Sequence, residues 1–216
     1  MRILITAGGT REPIDAVRFV GNVGTGATGI ALAQEAVRRF HTVQLLSGTG
    51  SVEPAQWALD TGLLAVETFT SASDLLDRTV RLLEDYRFDA IVATAAVADY
   101  APVLVDGKIG STLDELTIRM IPTPKIVDRM RVLAPEARLV SFKLESGVSP
   151  SELFCRARTS MARSGADLTV ANLLEGHGRP DHSAWLVHGD GDPIAVPTRA
   201  KLATCLLDYL EAGQDR

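Results

Sequence analysis

The residues able to do chemistry in this chain cluster where short hydrophobic runs end. Gly8 and Gly9 follow one such run directly, in Thr6-Ala7-Gly8-Gly9-Thr10. Paired glycines there allow a tight turn and offer backbone N–H groups to an anion, although a plain turn would use the same residues. Gly24-Thr25-Gly26-Ala27-Thr28-Gly29 has the dinucleotide spacing G-x-G-x-x-G. It lies many residues beyond the first strand, however, whereas the fingerprint occupies the first tight turn. An acidic ribose ligand belongs about 20 residues further on, and Ser47-Gly48-Thr49 stands there instead. What survives is a Gly/Thr loop entering a helix, whose free N–H groups and dipole suit phosphate.

A second group begins at Ala95, in Ala95-Ala96-Val97-Ala98-Asp99-Tyr100. Small residues at a strand end let a flat ligand reach the backbone, and Asp99 is placed to hold Mg²⁺ or a hydroxyl, or simply to cap a loop. Lys108, between Gly107 and Ile109, is either a mobile cation for phosphate or an ordinary surface lysine. His41, His177, His182 and His188 show no metal-ligand spacing. No nucleophile elbow and no Walker lysine loop is present.

The elements that must position these groups alternate. Strands are expected at 2–6, 42–46, 65–69, 89–95, 139–142, 167–171 and 184–187, and helices at 29–39, 72–86, 124–133, 150–164 and 199–210. Ser71 with Asp74 forms a capping box, Pro124 suits a first helical turn and Gly165 a helix end. This rhythm predicts an α/β fold, a Rossmann-like doubly wound and mostly parallel sheet in a three-layer sandwich. Residues 103–121 break it, with Leu116, Ile118 and Met120 alternating against Thr117 and Arg119 like a hairpin flap or dimer arm. No linker divides the 216 residues, so one domain is expected.

Composition removes whole classes of function. Hydrophobic residues make up 46% of the chain but aromatics only 5%, so the core must be aliphatic, as in helix-covered parallel sheets. A net charge of −5 leaves no footprint for nucleic acid or an anionic membrane. No apolar run reaches the ~18 residues of a spanning helix, and no signal peptide opens the chain. Cys155 and Cys205 read as buried thiols in a reducing compartment. A cytoplasmic protein is expected.

Taken in order, the motifs resemble the phosphopantothenoylcysteine synthetase (phosphopantothenate–cysteine ligase) family of coenzyme A biosynthesis. The carriers are TAGGTREPID with Val17-Arg18-Phe19 and Asn22, then AAVADY, Gly107-Lys108-Ile109, ELTIRMIPTPKIV, Ser141-Phe142-Lys143-Leu144-Glu145 and Val170-Ala171-Asn172. They cover nearly the whole chain, in a form without the fused flavin decarboxylase domain and hence without flavin. The resemblance implies that a nucleoside triphosphate, CTP ahead of ATP, activates the phosphopantothenate carboxylate with loss of pyrophosphate. The cysteine amine then attacks to form an amide, with Mg²⁺ and lysines neutralising charge.

By residue-wise match, Asn22 is the acyl-oxygen donor or substrate clamp, supported by Arg18, and Lys108 is a flap lysine over the phosphates. Asp99, Thr123, Pro124, Lys125, Ile126 and Phe142 match nucleotide-contacting positions. Gly8, Gly9, Thr10, Gly24, Thr25, Gly26 and Ala95 lie on the substrate side. The resemblance also implies a homodimer whose flap covers the partner's site.

The chain departs from the family pattern in four places. Gly24 replaces a serine, Gly110 a second flap lysine, and Ser160 and Ser164 two helix lysines. Arg156, Arg158, Arg163 and Lys143 are the cations available to compensate. Two further readings follow from these departures and from the glycine loop. One is a non-ligase relative that binds a nucleotide or phosphorylated metabolite, the other an NAD(P)-dependent reductase.

Overall fold

Strands whose side chains are apolar on both faces form the middle of the molecule. In chain order the elements are β1 (Arg2–Ala7), β2 (Arg11–Pro13), β3 (Phe19–Gly21), α1 (Ala27–Arg38), β4 (Thr42–Gly48), α2 (Gln56–Asp60), β5 (Leu64–Phe69) and α3 (Ala72–Asp85). They continue with β6 (Ala90–Ala93), β7 (Tyr100–Pro102), β8 (Met120–Pro122), α4 (Ile126–Leu133), β9 (Arg138–Glu145) and α5 (Pro150–Ser164). The last are β10 (Leu168–Leu173), β11 (Ala184–Val187), β12 (Ile194–Val196) and α6 (Arg199–Glu211). This computed structural model describes residues 1–112, 114–176 and 183–212. The expectations for His177 and His182 fall outside them.

Eight strands form one sheet in the order β12-β11-β10-β9-β6-β1-β4-β5. The pairings from β5 to β10 are parallel, and β11 and β12 close one edge antiparallel. The expected doubly wound, mostly parallel sheet is therefore present. Its faces are covered separately. Ile3 and Ile5 of β1 pack with Leu32 and Ala36 of α1 and with Leu206 of α6. Leu4, pointing the other way, packs with Leu75 and Leu82 of α3, Met130 of α4 and Met161 of α5. The core is aliphatic, with Phe69 the one aromatic ring buried below 2% exposure among the described residues. Among the described residues no helix is long and apolar enough to cross a membrane.

Local signals place the helix ends. The Ser71 hydroxyl accepts the Asp74 N–H at 3.2 Å, and the Asp74 carboxylate accepts the Thr70 N–H at 2.9 Å. Gly165 ends α5 in the left-handed conformation at φ 66°. Pro124 does not enter α4, contrary to the sequence expectation. Its neighbour Thr123 donates its N–H to the Asp99 carbonyl at 3.0 Å and its hydroxyl to the Ala98 carbonyl, which ties this stretch to the segment after β6. Lys125 then caps the helix in an extended conformation.

Three further expectations change. Cys155 is exposed, not buried, because α5 turns Leu153, Ala157 and Met161 inward and Cys155 lies off that face; Cys205 is half-buried. The insertion is a hairpin only at its stem, where β7 pairs antiparallel with β8 and Val103 donates to the Arg119 carbonyl at 2.9 Å. Of the alternating residues only Met120 enters a strand. The small β2–β3 pair, α2 and β12 were not expected.

Candidate active site

The chain runs from β1 outward to β4 and β5, then returns to β6 and runs outward the other way to β9 and β10. The loops leaving the carboxyl ends of β1 and β6 therefore part in opposite directions, which opens a crevice between them. Hydrogen bonds lace its two lips together. The Thr6 hydroxyl accepts the Ala95 N–H at 3.2 Å, the Gly8 carbonyl accepts the Ala96 N–H at 2.8 Å, and the Thr10 hydroxyl accepts the Ala98 N–H at 3.0 Å.

Two glycines are required by this close approach. Gly8 has φ 84°, and a Cβ on it would lie 1.9 Å from the Ser51 hydroxyl. Gly29 brings α1 down onto β1, where a Cβ would lie 2.5 Å from that of Ala7. The first turn of α1 then faces the crevice without an acidic residue and without a side-chain cap.

Two cavities open at these strand ends. The larger, about 590 Å³, is lined by Gly8, Asn22, Gly24, Thr25, Gly26, Ala95, Phe142, Asn172 and Arg199 among others. The smaller, about 190 Å³, is lined by Ala95, Asp99, Thr123, Pro124, Lys125, Ile126, Phe142, Ser160 and Arg163 among others. Ala95, Val97, Phe142 and Lys143 line both, so the cavities meet across a shared wall. In the larger one, the Asn22 amide donates to the Val97 carbonyl at 3.0 Å, which aims the side chain along that wall.

The charges divide between the cavities. Every cation lining the smaller one is already paired: Lys125 with Asp99 at 2.5 Å, Lys143 with Glu145 at 3.0 Å, and Arg163 with Asp128. Burial pushes the Glu145 carboxyl up, but Lys143 and Arg156 outweigh it and hold that group below the ordinary range. The Arg199 side chain, at the start of α6, lines the larger cavity and forms no ion pair with a described residue. No group of three or more His, Cys, Asp and Glu is gathered among the described residues. Among the described residues, Asp99 is the one carboxylate lining either cavity. A single carboxylate suits Mg²⁺ that arrives with phosphate ligands of its own.

Four of the residues expected in the site line neither cavity: Gly9, Thr10, Arg18 and Lys108. A Cβ on Gly9 would lie 2.5 Å from the Asn22 carbonyl, so Gly9 lets the Asn22 loop pack. Arg18 is committed elsewhere. Its guanidinium pairs with the buried Asp15 carboxylate and donates to the Ile109 carbonyl at 3.2 Å. Asp15 also accepts the Ile109 N–H at 3.0 Å, so this pair latches the segment that carries Lys108. Lys108 itself is exposed.

Of the four compensating cations, Lys143 and Arg163 reach the site. Arg156 and Arg158 bond instead to Glu145 and the Gly191 carbonyl. Ser164 is buried at the end of α5 and lines neither cavity, whereas Ser160 lines the smaller one. Arg199 was missed because a cation opening the last helix carries no motif.

Fold and site together define a doubly wound α/β protein with a two-chambered crevice at its topological switch point. Residues 1–212 match the family described as DNA/pantothenate metabolism flavoprotein C-terminal domain, and the chain belongs to that family. This is the family to which its motifs resemble it, the phosphopantothenoylcysteine synthetases. The coenzyme A biosynthesis bifunctional protein CoaBC of Thermococcus kodakarensis is 36% identical over 212 residues, which is 97% of this chain and 51% of that protein. The chain thus spans about half the length of the curated relatives it matches. Among solved structures, the DNA/pantothenate metabolism flavoprotein of Streptococcus pneumoniae superposes with a TM-score of 0.89 at 27% identity, covering 98% of this chain and 99% of that one. The C-terminal domain of a CoaBC protein superposes at 0.79 with 28% identity, covering 99% and 95%.

Proposed function

We propose that this chain joins phosphopantothenate to cysteine by way of an acyl-nucleotide, with release of pyrophosphate. The observation that carries the reading is the pair of cavities meeting at Ala95, Val97, Phe142 and Lys143. Coupling an acid to a nucleotide needs two binding sites that bring a carboxylate and an α-phosphate together at one wall. Kinship with coenzyme A biosynthesis proteins supports phosphopantothenate as the acid.

In this reading the larger cavity takes phosphopantothenate, whose negative charge suits the uncapped first turn of α1 and the side chain of Arg199. The smaller takes the nucleotide between Thr123–Ile126 and Phe142, with CTP ahead of ATP. Mg²⁺ would be held by Asp99 and the nucleotide phosphates, where it supplies charge neutralisation. Once the acyl-nucleotide has formed, the cysteine nitrogen attacks the acyl carbon, and the carbon–oxygen bond to the nucleotide breaks with its electron pair. The Asn22 amide lies at the shared wall, ready to donate to the acyl oxygen as it gains charge. Lys108 would close over the phosphates on the latched segment, with Arg18 positioning it rather than touching substrate.

A second copy of the chain completes this account. Val103, Leu104, Leu116, Ile118 and Ile121 are exposed together on the insertion, an apolar stretch suited to a homodimer contact. In this reading the whole chain acts as one domain and the reaction is cytoplasmic, since substrates this highly charged do not cross a bilayer unaided.

The test is to supply phosphopantothenate, cysteine, Mg²⁺ and either CTP or ATP, and to detect the amide by mass spectrometry. Asn22→Ala should cut amide formation by about 10²-fold, the scale of one lost oxyanion donor, and leave acyl-nucleotide formation measurable. An unchanged amide rate would remove Asn22 from its role. Nucleotide binding without turnover would favour a non-ligase relative.

A further inference from the structure

We propose that Lys143 is a catalytic residue of the activation step, its ammonium contacting the α-phosphate while the substrate carboxylate attacks. The proposal rests on the ligase reading above. Among the described residues, Lys143 is the one charged side chain lining both cavities. Lys125 and Arg163 line only the smaller, and Arg199 only the larger. The bond that links the two substrates must form where the cavities meet, and Lys143 is the cation there.

Its setting in the fold explains how it is held. Lys143 and Glu145 are two apart in β9, so both side chains stand on the same face of the sheet, the one covered by α5. The Lys143 ammonium contacts Glu145 at 3.0 Å, and the other Glu145 oxygen contacts Arg156 of α5 at 2.7 Å. When an anion enters, Lys143 can turn to it while Glu145 keeps Arg156 as a counter-charge. A flexible four-carbon stem with a compact charge suits that exchange.

The step balances without a proton. A carboxylate oxygen forms a bond to the α-phosphorus, and the bond from that phosphorus to the bridging oxygen of the β-phosphate breaks. Pyrophosphate leaves with the electron pair. Lys143 stays an ammonium throughout and neutralises charge that builds on the α-phosphate oxygens, an interaction strongest in the transition state. Ser160 of α5, where the resemblance implies a lysine, lines the smaller cavity together with Lys143.

Single-turnover pyrophosphate release, with phosphopantothenate and nucleotide but no cysteine, tests this. Lys143→Met should slow the rate constant by about 10²-fold, with half-saturating concentrations of both substrates changed only a few-fold. Lys143→Arg should recover part of the loss, and thermal midpoints of both variants should match wild type. A wild-type rate in Lys143→Met overturns the proposal. So does a loss removed by raising the nucleotide concentration, which would make Lys143 a binding residue only, or an equal loss in Lys143→Arg. If the wild-type chain itself releases no pyrophosphate, the ligase reading fails and this proposal falls with it, whereas wild-type release undiminished in Lys143→Met overturns this proposal alone.

Discussion

The carboxyl group of Asp15 is shut away from solvent, yet its pKa is lowered to about 2. The Val17 N–H does most to lower it, against the opposing effect of burial, with the Ile109 and Arg18 N–H groups and the Arg18 guanidinium adding to the effect. A carboxyl held below its ordinary value of 3.8 stabilises the fold at pH values above that value. The contribution is lost as pH falls through the folded pKa, here between about 4 and about 2. Asp15→Asn should therefore speed amide hydrogen exchange at Val105 and Ile109 at neutral pH and flatten the acid dependence of stability. Unchanged exchange at Ile109 would show that the segment is held by other contacts. Asp99 was legible in the sequence because it follows an expected strand end by a few residues, whereas Asn22, beyond a strand too short to foresee, was legible only through the resemblance its motif carries. The resemblance named Arg18 as a support for Asn22, but its latch was not legible, since its partner Ile109 is distant in sequence and no local pattern reveals it.

At the scale of elements, close packing rather than helix propensity governs the first turn of α1. Gly29→Ala would gain up to ~1 kcal/mol of helix propensity. It would also drive a methyl to 2.5 Å from the Ala7 Cβ and 2.8 Å from the Thr94 hydroxyl. Such overpacking costs ~1–3 kcal/mol, so packing wins and the variant should unfold at lower denaturant. A more stable Gly29→Ala would contradict this tight contact. The helices other than the five-residue α2, and the parallel strands, were legible because each carries an apolar period, and α3 and α5 also carry cap residues. The β2–β3 pair and β12 were not, because three residues are too few to show alternation. Pro124 was misread because its stretch is fixed by the non-local bonds of Thr123 to the segment after β6.

At the scale of the whole molecule, strand order does what no single motif could. Residues after β1, β6 and β9 lie far apart in sequence, and only the reversal of direction beside β1 brings them to one crevice. The apolar insertion belongs to this scale too. Ile118→Glu, placing charge in an exposed apolar stretch, should shift sedimentation from dimer to monomer at micromolar concentration. A wild-type chain that sediments as a monomer would refute the dimer contact.

The central claim is that the two cavities bring a carboxylate and a nucleotide together. It is tested most directly by pyrophosphate release from nucleoside triphosphate with and without phosphopantothenate. The account predicts release that depends on phosphopantothenate and needs no cysteine; no release with either CTP or ATP would contradict it.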